Sequence, residues 1–219
     1  MSATLISPPA AAASAVKETP IVVTRRRIDR VLIGFGGLAA VVFATAGGLL
    51  TWGNNFADDY VERELESQNI VFPNAESLTD EGRTDLLMYA DQPLDTGGEA
   101  EAYASYIDGH LEDTAGGLTY AELGGPERAA RTALADAKET GAPQATIDDL
   151  QAKYDEVSGQ RNTLFKGETL RGLLLSAYAW STVGMIAGIA AIAAFVAAAV
   201  ALVLVGLGMV HLRRMDAHS

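Results

Sequence analysis

Cysteine is absent from the 219 residues, so no disulfide framework braces any part of this chain and no thiol chemistry is available to it. Histidine is scarce, with three in all, and basic residues are outnumbered, 16 Lys and Arg against 28 Asp and Glu. The formal charge of −12 argues against a nucleic-acid partner, which requires a positive face. The most informative scarcity is local. No Asp, Glu, Lys or Arg occurs in the 22 residues from Val31 to Trp52, or in the 41 residues from Gly172 to Leu212. At a helical rise of about 1.5 Å per residue, about 20 such residues cross a hydrocarbon core of about 30 Å.

These runs predict two transmembrane helices, residues 31–52 and 181–210, with residues 172–180 as a membrane-proximal helix. The second run is about twice the length one crossing needs, yet no turn residues divide it into a hairpin. Trp52 and Trp180 are the candidate membrane-interface anchors. Orientation follows from the basic residues. Residues 1–30 carry Lys17, Arg25, Arg26, Arg27 and Arg30 against Glu18 and Asp29, and the C-terminal tail 211–219 carries Arg213 and Arg214 against Asp216. Residues 53–168 hold 25 acidic and 8 basic side chains. The positive-inside rule then puts both termini in the cytoplasm and the acidic segment outside, in a multi-pass protein of the cell membrane. A rival for the first span is a cleavable signal, with Arg25 to Arg27, the run from Val31 to Phe43 and Ala44-Thr45-Ala46 as its parts. The run's continuation through Gly47, Gly48, Leu49, Leu50 and Trp52 suits a spanning anchor better.

Residues 1–23, with Pro8-Pro9 and an alanine and serine run, read as a flexible tail, part of a cytoplasmic segment 1–30. Beyond the first span, Phe56, Tyr60, Val61 and Leu65 fall at helical spacing, and this helix is expected to end before Ile70-Val71-Phe72-Pro73. Thr79 to Ala90 is a second candidate helix. After Gly97-Gly98, Tyr103, Tyr106, Ile107, His110 and Leu111 trace one face of an amphipathic helix that Gly116-Gly117 ends. Pro126 suits the first turn of another helix through Glu139, with Ala129, Ala130, Ala133 and Leu134 on one side. Gly141-Ala142-Pro143 breaks the chain, and Thr146 with Asp149 resembles a capping box that opens a helix leading into the second span. No stretch alternates well enough to require a strand. The expected fold is all-α, two transmembrane helices flanking a small extracytoplasmic helical domain over 53–171.

Few residues suggest chemistry. His110 is the only histidine of the outer segment, and although Asp108, Glu112 and Asp113 lie near it in sequence, successive residues on a helix diverge, so a packed or capping histidine is the expectation and no metal site is assigned. The outer acids form no D-x-D-x-D-G loop for calcium and read as solvated helix faces. Serines lack a nucleophile elbow or a base. No catalytic residue and no cofactor is therefore assigned. Within the spans, Gly184 and Gly188 form a G-x-x-x-G, and Gly34 and Gly37 offer similar small surfaces; all four are candidate helix-packing positions, within the chain or toward another subunit. Neither span holds a carboxylate or a lysine of the kind that marks an ion path.

The stretch Gly116-Gly117-Leu118-Thr119-Tyr120-Ala121-Glu122-Leu123, with Phe165-Lys166-Gly167-Glu168-Thr169-Leu170-Arg171-Gly172-Leu173-Leu174, resembles an uncharacterised group of actinobacterial two-span membrane proteins. Some of that group carry the name aromatic ring-opening dioxygenase. Such an iron enzyme needs two histidines and a carboxylate around one metal, and the outer segment has His110 alone. The function expected is a non-enzymatic accessory or scaffold component, seated in the lipid bilayer, that contacts a membrane protein partner or itself. An extracytoplasmic sensor or ligand-binding module signalling through a partner is the alternative.

Overall fold

A computed structural model describes residues 25–216 of the chain, with side chains from 27 to 215. Among these residues the protein is all-helical: α1 (Arg25–Glu66), α2 (Ala75–Asp80), a 3-10 turn (Thr84–Tyr89), α3 (Gly97–Thr114), α4 (Gly124–Glu139) and α5 (Gln144–Asp216). The described residues contain no strand, only an isolated bridge between Val71 and Pro93. Both α1 and α5 contain a stretch long and apolar enough to cross a membrane, and those stretches are only 11% and 17% buried within the protein.

The chain divides into two compact units. The larger, residues 42–198, is organised on α5. Helix α4 runs antiparallel to the N-terminal part of α5: Glu127 pairs with Arg161 and Lys138 with Gln151, eleven residues forward against ten back. Helix α3 runs antiparallel to the next part, with Leu111 against Gly167, Asp108 against Arg171 at 3.4 Å and Gly97 against Ser181. The C-terminal half of α1 completes the bundle. Its core joins Val61 and Leu65 of α1, Ala100 and Ala104 of α3, Leu174 of α5, and Phe72 and Leu94 from the connection. A second cluster of Leu111, Ala115, Leu123 and Leu164 closes the far end. The smaller unit, described over residues 25–41 and 199–216, pairs the first turns of α1 with the last of α5, where Gly36 meets Val205 and Gly208 meets Ile33.

Several expectations change. Arg25 to Arg30, assigned to the tail, belong to α1; the rest of that tail, residues 1–24, lies outside the described residues. The single helix expected over Thr79–Ala90 is instead the end of α2 and a 3-10 turn, separated where Gly82 takes φ +73°. Asn74 caps α2 by accepting from the Ser77 N–H at 2.8 Å, which starts the helix earlier than the acid-rich Thr79 region suggests. Helix α5 begins at Gln144, so Thr146 lies within its first turn rather than at the cap. Residues 172–180, expected as helix continuing beyond the membrane or lying on its surface, and residues 181–210 both lie within one uninterrupted helix of 73 residues.

Candidate interaction surfaces

Within residues 42–198 the seam between α1 and α5 is built from small side chains. A Cβ on Gly47 would stand 3.0 Å from the Phe195 ring, one on Gly188 2.6 Å from the Asn54 Oδ1, and one on Gly184 2.9 Å from the Ala57 Cβ. From Gly47 to Asn54 is seven residues forward, and from Phe195 to Gly188 seven back, so the helices keep antiparallel register as heptads do. Ala57, Ala191 and Ala198 are buried along the same stripe. Asn54 is the polar member: its Nδ2 donates to Asp58 Oδ2 at 3.0 Å while its oxygen fills the notch at Gly188.

Gly184 and Gly188 thus stand in close packing against α1. Gly34 and Gly37 do not meet α5: a Cβ on either would have no atom within 4 Å. Gly36 and Gly47 occupy the packed positions instead. In a run where every residue is apolar, periodicity carries no phase, so the sequence does not distinguish Gly36 from its neighbours.

The two tryptophans stand at different heights. By the seam's register Trp52 lies level with residues near 189, whereas Trp180 lies level with Val61, about 14 Å farther along at about 1.5 Å per residue. Trp52, 68% exposed, opens a stacked ladder with Phe56 and Tyr60, at ring separations of 5.6 and 6.3 Å. At the top of that ladder Tyr60, Leu65, Ile70, Leu173, Leu174 and Trp180 line an apolar groove of about 280 Å³ between α1 and α5. Leu173 is 64% exposed and Trp180 51%. Isolated exposed apolar residues need no explanation, but a contiguous apolar patch does.

The polar features are tied into structure. Arg161 Nη1 donates to Glu127 Oε2 at 2.6 Å and its guanidinium lies 4.1 Å over the Tyr120 ring, which fixes the turn before α4 on α5. These groups line a recess of about 430 Å³ with Ser158, Asn162 and Phe165. Thr96 and Glu99 form a capping box at α3: Glu99 Oε2 accepts from the N–H groups of Asp95 and Thr96 at 3.0 and 2.9 Å. Burial opposes charge on Glu99, yet those N–H donors hold its carboxyl below the usual range, while burial and the neighbouring Glu99 push Asp95 up. Arg83 donates to both oxygens of Asp85 and to Ser105 O at 2.8 Å, joining the 3-10 turn to α3. Its hydrogen bond lowers the Asp85 carboxyl.

His110, expected on the packed face, is exposed at its edge. Its Nδ1 lies 3.1 Å from Tyr106 O, its Nε2 3.8 Å from Glu81, and its ring against Tyr106 at 4.5 Å. Tyr106 is pushed up to about 12 by burial and by its hydrogen bond to Glu81. Among the described residues no group of three or more histidine and carboxylate side chains converges as a metal site would require. The chain matches no protein-family model, no curated protein and no solved structure.

Proposed function

We propose that this chain is a two-pass protein of the cell membrane, with both termini cytoplasmic, whose acidic outer helical domain acts as an accessory or scaffold component for another membrane or envelope protein. Two apolar stretches of spanning length that the protein itself leaves uncovered support the bilayer placement, because such surface is stable only against lipid or another chain. The basic flanks Arg25 to Arg30 and Arg213-Arg214 support the orientation. Taking Trp52 as the outer boundary, the register of the seam makes residues from about 189 to 210 the span of α5. Ser181 to Gly188 then stand outside the bilayer beside the polar Asn54 and Asp58.

The observation that carries the scaffold reading is the apolar groove at Tyr60, Leu173 and Trp180, which this placement raises clear of the hydrocarbon. Apolar surface of that kind in water favours a protein partner. A ligand-binding reading would use the recess beside Arg161, but that guanidinium is already held by Glu127 and Tyr120. The test is a photo-crosslinking side chain at position 173 of the tagged full chain in its native membrane, followed by mild-detergent recovery and mass spectrometry. A reproducible membrane or envelope protein joined at that position is expected. Recovery of an uncrosslinked monomer would sink the reading, and a mature N-terminus at Gly47 would remove the first span.

A further inference from the structure

The seam of the smaller unit ends in a carboxylate where its spacing calls for an apolar residue. Asp29, Ile33, Gly36 and Ala40 succeed one another at intervals of four and three along α1, and Gly36 and Ile33 pack on Val205 and Gly208. Asp29 Oδ2 is shielded from solvent and has no hydrogen-bond partner among the described residues. It lines a cleft of about 370 Å³ together with Leu32, Ile33, Leu204, Val205 and His211. A shielded carboxylate oxygen without a donor is costly, and native structures satisfy such groups from protein, water or ligand.

We infer that this cleft binds a phospholipid with a primary-amine headgroup. The ammonium supplies N–H donors to Asp29 Oδ2, the acyl chain runs along Leu32, Ile33 and Leu204, and the phosphate is met by the exposed cation Arg30, next to Asp29 on α1. Arg30 stands between Asp29 and the apolar run that begins at Val31, so along α1 the apolar walls, a cation for the phosphate and the acid for the ammonium follow the order of chains, phosphate and amine in the lipid. A choline headgroup has the same phosphate and chains but no N–H, so the unpaired oxygen discriminates between the two. The inference rests on the bilayer placement of α1 and α5 and is independent of the scaffold reading.

The experiment uses the full chain in nanodiscs of equal parts amine-headed and choline-headed phospholipid, with the lipid retained on gentle extraction measured by native mass spectrometry. Retention of the amine-headed lipid is expected to exceed that of the choline-headed one by roughly tenfold, as one charge-assisted hydrogen bond implies. The preference should fall to near parity in Asp29→Asn. Leu204→Trp, which fills the cleft and keeps the carboxylate, should lose the retained lipid. Equal retention of both lipids by the wild type, or a preference unchanged in Asp29→Asn, would overturn the inference. Flotation with vesicles is read in parallel. A chain that fails to float removes the bilayer placement itself, whereas one that floats without lipid preference removes only the cleft.

Discussion

The α1–α5 seam between residues 47 and 57 and the core around Phe72 lie in the same compact unit and hold it together by opposite means. The seam uses Gly47, Asn54, Ala57, Gly184 and Gly188, so that two backbones approach and every added carbon collides. The core uses Phe72 and Leu94, 2% and 1% exposed, with the Phe72 ring stacked on Tyr89 at 5.1 Å and edge-on to Tyr103 at 5.2 Å. Where water is the surroundings, large apolar side chains gain most by leaving it. Between helices in lipid that gain vanishes, and only close contact remains to be won. The change from one device to the other comes near Val61, nine residues beyond Trp52, so the small-residue seam continues past the proposed outer edge of the bilayer before the large side chains take over.

The comparison breaks most sharply at its two extremes. Phe72→Ala should destabilise the outer bundle by about 3–5 kcal/mol and expose the amides of α3, measured by hydrogen exchange in nanodiscs. Loss confined to the substituted turn would mean that the core is not shared. Gly188→Leu should cost about 1–3 kcal/mol by overpacking against Asn54 and move spin labels placed at Leu49 and Ile192 apart by a few Å. Gly34→Ala, on the open side of α1, should stay within about 0.5 kcal/mol, and an equal effect of the two glycine substitutions would erase the distinction between packed and open faces.

Smaller effects sharpen the outer half. Thr96→Ala removes the α3 cap and should cost about 1 kcal/mol, read as faster exchange in that helix's first turn. The pH limits have definite signs. Tyr106 has a raised value in the folded state, so its contribution is complete below the ordinary tyrosine value of 10.0 and is lost as pH climbs toward about 12. Glu99 is lowered, so its contribution is complete above its ordinary 4.5 and is lost as pH falls through the folded value. Tyr106→Phe should abolish the alkaline loss of helix signal; an unchanged alkaline limb would assign it elsewhere.

What the sequence makes legible follows from where its pattern has contrast. The helix carrying Tyr103, Ile107 and Leu111 stands out because polar residues separate its apolar positions, and α3 spans it. The two uncharged runs stand out by length. Their internal facing does not, since a uniformly apolar stretch has no polar side to mark the opposite one. The same blindness hides the offset of Trp180 from Trp52, which depends on register between two helices and not on either run. On α4, Ala129, Ala130, Ala133 and Leu134 read as one packed side; Leu134 is buried and Ala130 half-buried, with Ala137 buried beside them, while Ala129 and Ala133 are exposed, because alanine contributes little phase to choose between faces. The paired backbone bonds from Phe72 to Gln92 and from Leu94 to Ile70 join short segments with no periodicity of their own.

Asn54 in the notch at Gly188 also limits how the helix pair can move. Sliding α1 by one heptad would set the amide against Phe195 and bring Val61 to Gly188, or set it against Ser181 and bring Gly47 there, so Asn54 in its notch fixes which register the pair adopts.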